Sequence, residues 1–443
     1  MHCLEGNGYM KVGLLSLGCA KNQVDSEHML YMLKEMGHTL VSDDKEAEVL
    51  IINTCGFIDS AKEEAIDAIL SAVEMKETGK CKKVMVTGCL AQRYQEALLE
   101  DIPEIDALMG VEHYQDFPKA FADMLAGEEN PVLTSRTQFP FECGRVLTTP
   151  PFTAYVRIGE GCDNRCHYCA IPLIRGNYRS RREESILEEM KLLASQGVRE
   201  HIYIAQDTTR YGRDEGRKNG LSQLLKKGSA VPGVDWLRVL YLYPEDVTDE
   251  LVDAMAKIPN FCRYLDVPLQ HASPKMLKEM NRRGDIHKLE KILLRARKLG
   301  FCLRTTFIVG YPGETEEDFE ELMDFTRRME FDRMGAFAYS PEEDTVGGER
   351  EDQIDDEVKQ QRLDRLMTLQ ADISLRRNQQ RIGEEVTLLI TEERKNGCVC
   401  RSPWEAPDAD GLIFVHEKGK KGDMRRAVIT GADTYDLTAK WID

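Results

Sequence analysis

The chain has 443 residues, 42% of them apolar, and a formal net charge of -18. At roughly 100–200 residues per domain, this length predicts about two to four domains with sizeable cores. The acidic balance argues against broad binding to a nucleic-acid backbone, which needs an excess of Lys and Arg, and it suits a basic partner.

The lengths of the apolar runs indicate the cellular compartment of the protein. No stretch approaches the roughly 18 consecutive apolar residues that span a bilayer, and residues 1–10 show no basic segment followed by an apolar run. We therefore expect a cytoplasmic protein without a membrane segment or secretory signal. In a reducing compartment, the thirteen cysteines indicate metal ligands or redox groups before disulfides.

The first part of the chain alternates short apolar runs with helical segments. The runs 11–19, 47–55 and 82–89 predict buried strands, and residues 25–37 and 60–77 predict helices between them. Strand, helix and strand at this spacing indicate a parallel sheet. We predict an α/β domain over residues 1–130, followed by a linker at 131–151.

The same alternation returns from residue 152 to about 340. Its strand candidates are 153–159, 201–207, 237–243, 264–270, 302–310 and 333–340. Six strand–helix units in one block predict a (β/α) barrel, complete or partial, within a core domain over residues 152–376. Residues 354–383 predict a helix, and we expect its stripe of Leu363, Leu366, Leu369 and Ile373 to pack on the barrel.

The pattern changes again near residue 384. Short alternating strands with Gly-rich turns predict a small antiparallel β-barrel within a domain over residues 377–443.

Three cysteines occupy equivalent places in the N-terminal domain. Cys19, Cys55 and Cys89 each end or follow a predicted parallel strand. Carboxyl ends of such strands line a ligand crevice, and Gly18 and Gly88 beside the cysteines permit close approach of a bulky group. Cysteine is also a common core residue, so chance placement is the alternative. The threefold repetition favours a metal or cluster site.

Three further cysteines crowd into "EGCDNRCHYCAIPLIRG" (160–176), at Cys162, Cys166 and Cys169. A structural zinc site needs four ligands, and His167, the alternative fourth ligand, lies beside Cys166, where its ring is expected to point away. A 4Fe–4S cluster held by three thiolates leaves one iron open to another ligand.

The triplet, with Tyr168 before its last cysteine, resembles the signature of the radical S-adenosylmethionine (SAM) enzymes. The resemblance implies that the open iron binds the amino and carboxylate groups of SAM, which an electron from the cluster then cleaves to a 5′-deoxyadenosyl radical. In such enzymes the cofactors carry the chemistry, and the protein positions them.

The order of the three predicted domains resembles that of the radical SAM methylthiotransferases, with a TRAM domain at the end. The segments "LGCAKNQVDSE" (17–27), "NTCGFI" (53–58), "GCLAQRY" (88–94), "GCDNRCHYCAIP" (161–172) and "RGNYRSR" (175–181) match motifs of that family. The resemblance implies that Cys19, Cys55 and Cys89 hold a second 4Fe–4S cluster, whose open iron carries the sulfur to be inserted.

Several segments resemble the branch that modifies a ribosomal protein (the RimO type) more than the branch that modifies tRNA. They are "SLGCAKN" (16–22), "QDTTRYGRD" (206–214), "YLDVPLQHAS" (264–273) and "RSPWEAPDADG" (401–411). This implies methylthiolation of an aspartate β-carbon in the decoding-centre small-subunit ribosomal protein. One SAM would methylate the cluster-bound sulfur and a second would give the radical, with an electron donor such as flavodoxin or ferredoxin.

The charge of the terminal domain gives independent support. Residues 384–443 hold nine Lys and Arg against twelve Asp and Glu. A tRNA-gripping module should be basic, whereas an acidic one suits a basic ribosomal protein. The basic run 418–426 is counter-evidence: it indicates contact with ribosomal RNA or, alternatively, a solvated hairpin tip.

Three residues are candidate SAM contacts by the same resemblance. Tyr168 would position adenine, Gln206 would contact the SAM amino group, and the backbone at Gly310 would approach adenine. Packing is the alternative for Tyr168, and a purely structural turn is the alternative for Gly310. His271 either faces the substrate or is a hydrogen-bonded structural residue.

Two other functions stay open at this point. One is the same chemistry on tRNA adenosine, and the other is a non-catalytic iron–sulfur or zinc protein that binds RNA. Iron and sulfide content separates a cluster from zinc, and SAM cleavage separates an enzyme from a binding protein.

Overall fold

The computed structural model describes residues 9–111, 113–127, 132–133 and 144–442. The chain forms two compact units. The first comprises the described residues of Met1–Thr149 with Tyr155–Arg165 and Cys169–Glu189. The second comprises Pro150–Ala154, Cys166–Tyr168 and the described residues of Met190–Asp443. The predicted domain boundaries stay a prediction, and residues 131 and 134–143 of the predicted linker lie outside the described residues.

The first unit is built on a parallel sheet. Its elements up to residue 133 are β1 (Lys11–Ser16), α1 (Ala20–Glu35), β2 (Thr39–Leu40), β3 (Val49–Thr54), α2 (Asp59–Thr78), β4 (Lys83–Gly88), α3 (Cys89–Asp101), β5 (Ala107–Met109), α4 (Phe117–Ala126) and β6 (Val132–Leu133). The sheet order is β2–β1–β3–β4–β5–β6, and every neighbouring pair is parallel. The strand order therefore reverses between β1 and β3, which is the switch point where such sheets bind ligands.

Strand β3 shows why this sheet forms. All six of its residues are buried. Val49 and Ile51 pack in one apolar cluster, while Leu50 and Ile52 pack in another. Because successive side chains of a strand point to opposite faces, both faces of the sheet are covered, as a parallel sheet requires.

The predicted strands β1, β3 and β4 are confirmed. Strands β2, β5 and β6 were not predicted, because they are only two or three residues long. Helix α1 begins at Ala20 rather than at residue 25. Its first turns bury Lys21, Asn22 and Asp25, so apolar periodicity misses them.

After residue 144 the first unit adds short elements around the second cysteine group. They are β8 (Gly159–Glu160), α5 (Ile171–Arg175) and β9 (Arg179–Ser180), and β8 pairs with β9 in antiparallel fashion. Strand β7 (Thr153–Arg157) and helix α6 (Glu183–Ser195) are divided between the two units.

The second unit contains the predicted partial (β/α) barrel. Its elements are β10 (Glu200–Ile204), α7 (Gly220–Gly228), β11 (Trp236–Val239), α8 (Asp249–Ala256), β12 (Tyr264–Asp266), α9 (Pro274–Glu279), α10 (Ile286–Lys298), β13 (Cys302–Val309), α11 (Glu316–Met329) and β14 (Arg333–Ala338). Strands β10 and β11 are parallel, as are β12, β13 and β14. A parallel bridge from Leu237 to Phe261 links the two groups, so the sheet is continued across β11 and β12.

Helix α12 (Asp356–Gln379) joins this barrel to the terminal module. Leu366 and Ile373 of the predicted stripe are buried. The Gln370 amide donates to the Phe331 carbonyl at 2.9 Å, and the Asn378 amide donates to the Thr434 carbonyl at 3.1 Å. The predicted packing on the barrel is confirmed, and the helix also contacts the terminal module.

The terminal module is the predicted small closed barrel. Its strands are β15 (Glu385–Arg394), β16 (Gly397–Arg401), β17 (Ile413–Val415), β18 (Met424–Ala432) and β19 (Leu437–Trp441), in the ring order β15–β16–β17–β19–β18. Four pairs are antiparallel, and β17 with β19 is parallel. Five strands cannot alternate in direction around a closed ring, so at least one pair must be parallel.

No helix in the described ranges is both long and apolar enough to cross a membrane.

A buried ion cluster ties the terminal module to the barrel. Glu200 of β10 accepts from Arg401 of β16 at 2.5 Å and from Arg238 of β11 at 3.1 Å. Burial alone would raise the pKa of Glu200, but the two guanidinium groups more than offset it and lower the pKa to about 2. The Glu200 carboxylate is therefore ionised and stabilising at neutral pH.

We expect Glu200→Gln to destabilise the second unit by about 3–5 kcal/mol, because it leaves two buried guanidinium groups without their counter-charge. The folded-state pKa of about 2 lies below the roughly 4.3 of an unfolded Glu, so the stabilisation is present above pH 4 and is lost as the pH falls toward 2. Urea unfolding followed by circular dichroism should show a gap between wild type and variant at pH 7 that closes in acid.

The control is Glu392→Gln, which removes an exposed carboxylate paired with Arg394 on the same strand. Its unfolding midpoint should match that of wild type. A Glu200→Gln midpoint equal to that of the control would show that the buried cluster adds no net stability.

Candidate metal centres

The switch point of the first unit carries Cys19, Cys55 and Cys89. Cys19 directly precedes α1, Cys55 directly follows β3, and Cys89 is the first residue of α3, after β4. The cysteines thus follow β1, β3 and β4, which are neighbours in the sheet. Their exposure is graded, since Cys19 is exposed, Cys55 is half-buried and Cys89 is buried.

Asn22 holds the cysteine-bearing segments together. Its amide nitrogen donates to the carbonyls of Leu17 at 3.0 Å and Thr54 at 2.8 Å, and its Oδ1 lies 3.6 Å from the Cys89 Sγ. Gly18 completes the contact, because a Cβ there would come within 2.8 Å of the Cys55 Cβ. Segments that are far apart in sequence therefore meet at one edge of the sheet.

Burial and electrostatic interactions between the thiols raise the pKa values of Cys55 and Cys89. Burial raises the pKa of Cys89 to about 12, Arg175 opposes this rise, and Cys19 and Cys55 add to it. Burial likewise raises the pKa of Cys55, with Cys19 contributing in the same direction. Three thiolates here would repel each other in a low-dielectric site, and bound iron removes that repulsion because it takes the place of the protons.

The sulfur donors of this site suit a cluster better than a single metal ion. Within residues 9–111, 113–127, 132–133 and 144–442, no group of three His, Cys, Asp or Glu converges on one ion position. In a 4Fe–4S cluster the thiolates bind different irons rather than one point. Three sulfur donors on neighbouring segments, with Gly18 packed against Cys55, fit such a cluster.

Arg175 lies in the motif at 175–181, and no role was predicted for it. Arg175 ends helix α5 and is buried. Its Nη2 donates to Asn22 Oδ1 at 2.6 Å and to the Cys89 Sγ at 3.5 Å. Burial alone would lower the pKa of Arg175, but Cys89, Glu160 and Asp25 raise it well above its ordinary value. A permanent positive charge therefore faces the buried thiol.

The outer cysteines of the second group belong to the first unit, and both are half-buried. The backbone nitrogen of Cys162 donates to the Gly176 carbonyl at 3.0 Å, and the Asn164 amide lies 3.5 Å from the Cys162 Sγ. Gly161 has a positive φ of 76°, and a Cβ there would meet the Asn177 carbonyl oxygen at 2.2 Å. The segment that carries Cys162 is thus fixed against residues 176–177.

The middle cysteine, Cys166, belongs to the second unit. Its Sγ lies 3.6 Å from the Tyr243 hydroxyl and 4.0 Å from Nη1 of Arg282. Arg282 stacks on the Tyr243 ring at 4.1 Å and donates to the Tyr168 hydroxyl at 3.1 Å. A buried arginine therefore also stands beside this cysteine.

The three predicted SAM contacts all lie in the second unit. Tyr168 packs against a cluster of Met276, Met280, Tyr311 and Tyr339. Gln206 follows β10 and Gly310 follows β13.

Gly310 itself is closely covered. It has a φ of 74°, its nitrogen donates to Glu314, and a Cβ would meet Lys359 Cγ at 2.3 Å. This supports the structural turn that the sequence left as the alternative. The SAM-contact roles of Tyr168, Gln206 and Gly310 stay predictions.

His271 has partners typical of a structural histidine. It is fully buried, its Nδ1 accepts from the Ser273 nitrogen at 2.9 Å, and its Nε2 lies 3.5 Å from Glu314 Oε1. These contacts favour the structural alternative.

Comparison with protein families divides the chain into three matched regions. Residues 11–110 match Uncharacterized protein family UPF0004, residues 156–326 match the Radical SAM superfamily, and residues 382–442 match the TRAM domain.

Curated relatives match over nearly the whole chain, and each is a ribosomal protein uS12 methylthiotransferase RimO. The one from Pelotomaculum thermopropionicum is 46% identical over 98% of this chain and 99% of its own. The one from Desulforamulus reducens is 47% identical over 96% and 98% of the two chains. The one from Clostridioides difficile is 46% identical over 97% and 98%.

Solved structures share the fold at low identity. The radical S-adenosylmethionine methyltransferase TsrM from Kitasatospora setae, with cobalamin and a [4Fe-4S] cluster bound, has a TM-score of 0.56 and 14% identity and covers 77% of this chain and 74% of its own. The cobalamin-dependent radical enzyme OxsB has a TM-score of 0.54 and 13% identity, with 82% and 56% covered. At this identity the likeness concerns the fold.

We expect Cys19→Ala, Cys55→Ala and Cys89→Ala each to lose about half of the bound iron after anaerobic reconstitution, because each removes one of three thiolates from one of two clusters. Iron and sulfide analysis of the purified chain measures this. The control is Cys81→Ala in the same unit, whose thiol contacts the Lys83 carbonyl instead. Full iron content in any of the three variants would contradict the assignment.

Proposed function

Because the chain belongs to the family of ribosomal protein uS12 methylthiotransferases (RimO), we propose that it inserts a methylthio group at the β-carbon of an aspartate in ribosomal protein uS12. The structural observation that carries the proposal is the convergence of Cys19, Cys55 and Cys89 at one edge of the N-terminal sheet. In our proposal these three cysteines form a three-thiolate site in addition to the cysteine triplet of the radical SAM region.

The cofactors are two 4Fe–4S clusters and SAM. When bound, they supply the electron, the carbon-centred radical, the methyl group and the sulfur that the reaction needs. In our proposal Cys19, Cys55 and Cys89 hold one cluster, and Cys162, Cys166 and Cys169 hold the other. Tyr168, Gln206 and Gly310 are proposed SAM contacts. The division into domains at 1–130, 152–376 and 377–443 belongs to the same proposal.

The residues of the chain contribute positioning and charge. Asn22 ties the segments of Cys19 and Cys55 together, and Arg282 places positive charge beside Cys166. Since thiolates are the form that binds iron, buried cations beside them favour the bound state. The deep burial of Cys89 also keeps water from its sulfur.

Charge supports a protein substrate. The chain carries a net charge of -18, and complementary potentials speed the encounter with a basic partner. We further propose contact between the basic run 418–426 and ribosomal RNA, an electron donor such as flavodoxin or ferredoxin, and a cytoplasmic location.

Mass spectrometry tests the function. The reconstituted enzyme, SAM and a strong reductant are offered uS12 and bulk tRNA side by side. We expect one aspartate of uS12 to gain the mass of CH2S, and tRNA to stay unchanged. Modification of tRNA adenosine alone would overturn the choice of substrate but keep the chemistry.

The Cys89→Ala variant serves as the matched control. It should still cleave SAM to 5′-deoxyadenosine at the other cluster, yet leave uS12 unmodified, because the sulfur-carrying site is lost. Methylthiolated uS12 formed by this variant would contradict the assignment of SAM cleavage to one cluster and of the sulfur-carrying role to the other.

A further inference from the structure

Four buried charged residues form one network in the first unit. They are Asp25 on α1, Arg157 at the end of β7, Glu160 on β8 and Arg175 at the end of α5. Arg157 bonds Asp25 at 2.5 Å and Glu160 at 3.0 Å. Arg175 bonds Glu160 at 3.1 Å and Asp25 at 3.3 Å. Two cations and two anions thus balance, as buried charges require.

The network reaches both cysteine groups. Glu160 accepts from the Gly161 nitrogen at 3.2 Å, directly before Cys162. Arg175 closes the short helix that follows Cys169, and its Nη2 reaches the Cys89 Sγ at 3.5 Å. One guanidinium therefore bonds a carboxylate beside Cys162 and, at the same time, the thiol of Cys89.

The geometry separates Arg175 from an ordinary structural arginine. Arg157 and Arg175 each bond both carboxylates of the network, and of these two arginines Arg175 is the one that also bonds the thiol of Cys89. A ligating Cys89 adds a negative charge to a network that is otherwise neutral. Arg175 lies 3.5 Å from this sulfur and opposes the rise that burial causes in the pKa of Cys89. Hydrogen bonds to the sulfurs and net charge set the potential of an iron–sulfur cluster, and neighbours of the ligands fix their orientation.

We propose that Arg175 is a positioning residue for the N-terminal cluster: it donates a hydrogen bond to the Cys89 thiolate, holds that side chain in place and raises the reduction potential of the cluster. The proposal rests on the proposed function only in that the three N-terminal cysteines hold a cluster. Reduction adds negative charge, so a nearby cation stabilises the reduced form. Loss of the cation must then shift the potential to a more negative value.

The test uses the full-length chain with Cys162, Cys166 and Cys169 changed to Ala, so that only the N-terminal cluster is observed. In this background, Arg175→Lys and Arg175→Met are reconstituted anaerobically. Iron content, the electron paramagnetic resonance spectrum and the midpoint potential are measured. We expect Arg175→Met to shift the midpoint to a more negative value and to bind less iron. Arg175→Lys should shift it less, because an ammonium keeps the charge but cannot fork between Glu160 and Cys89.

The matched control is Arg181→Lys. Arg181 is also buried in the first unit and bonds Glu189 rather than a cysteine. This variant should keep the iron content, spectrum and midpoint of the parent. Circular dichroism of all variants separates cluster loss from unfolding.

The outcomes distinguish the two proposals. A folded Arg175→Lys variant and a folded Arg175→Met variant that both keep the parent's midpoint and spectrum would overturn the role of Arg175 while leaving the function intact. A shifted midpoint in a protein whose unmutated form leaves uS12 unmodified would support Arg175 and overturn the function. A parent chain that binds no cluster through Cys19, Cys55 and Cys89 would overturn both.

Discussion

The carboxyl ends of three parallel strands determine where the cysteines of the N-terminal site lie. Cys19 and Cys89 are far apart in sequence, and they lie at the same edge of the sheet because β1, β3 and β4 are neighbours that point the same way. This placement concentrates sulfur donors at the point where the strand order reverses. It also buries Cys89, which we propose as a thiolate ligand, and a buried anion needs a positive charge nearby. The arginine at the end of α5 meets that need.

Much of the fold could be predicted because its longer strands and helices show apolar runs or periodic apolar residues along the sequence. Strand β3 is buried on both faces, and its first four residues form a continuous apolar run, so it is visible in the sequence. Strands of two or three residues, such as β2, are too short to show an alternation of apolar and polar residues. The first turns of α1 were missed because Asn22 and Asp25 are polar yet buried, and their partners lie on other segments. The parallel pair in the terminal barrel follows from its odd strand number rather than from any local pattern.

The candidate site likewise contains residues that could be predicted from the sequence and residues that could not. The cysteines could be found because their spacing and their places after strands are local properties. The role of Arg175 could not, because a charged residue in a loop motif suggests exposure, and its partners Asp25 and Cys89 are distant in sequence. The segments "LGCAKNQVDSE" and "RGNYRSR" contained the signal, but only the tertiary structure brings them together. At Gly310 the positive φ and the close cover by Lys359 support a structural turn, and the SAM contact of its backbone stays a prediction.

In each of the two units a buried arginine lies beside a cysteine. Arg175 faces Cys89, and Arg282 lies near Cys166. A buried guanidinium must itself be paired, so each brings a carboxylate with it: Glu160 for Arg175 and Glu245 for Arg282. In our proposal these charged residues compensate the negative charge of buried thiolate ligands. An arginine suits this place better than a lysine, because its planar fork bonds the carboxylate and the sulfur at once.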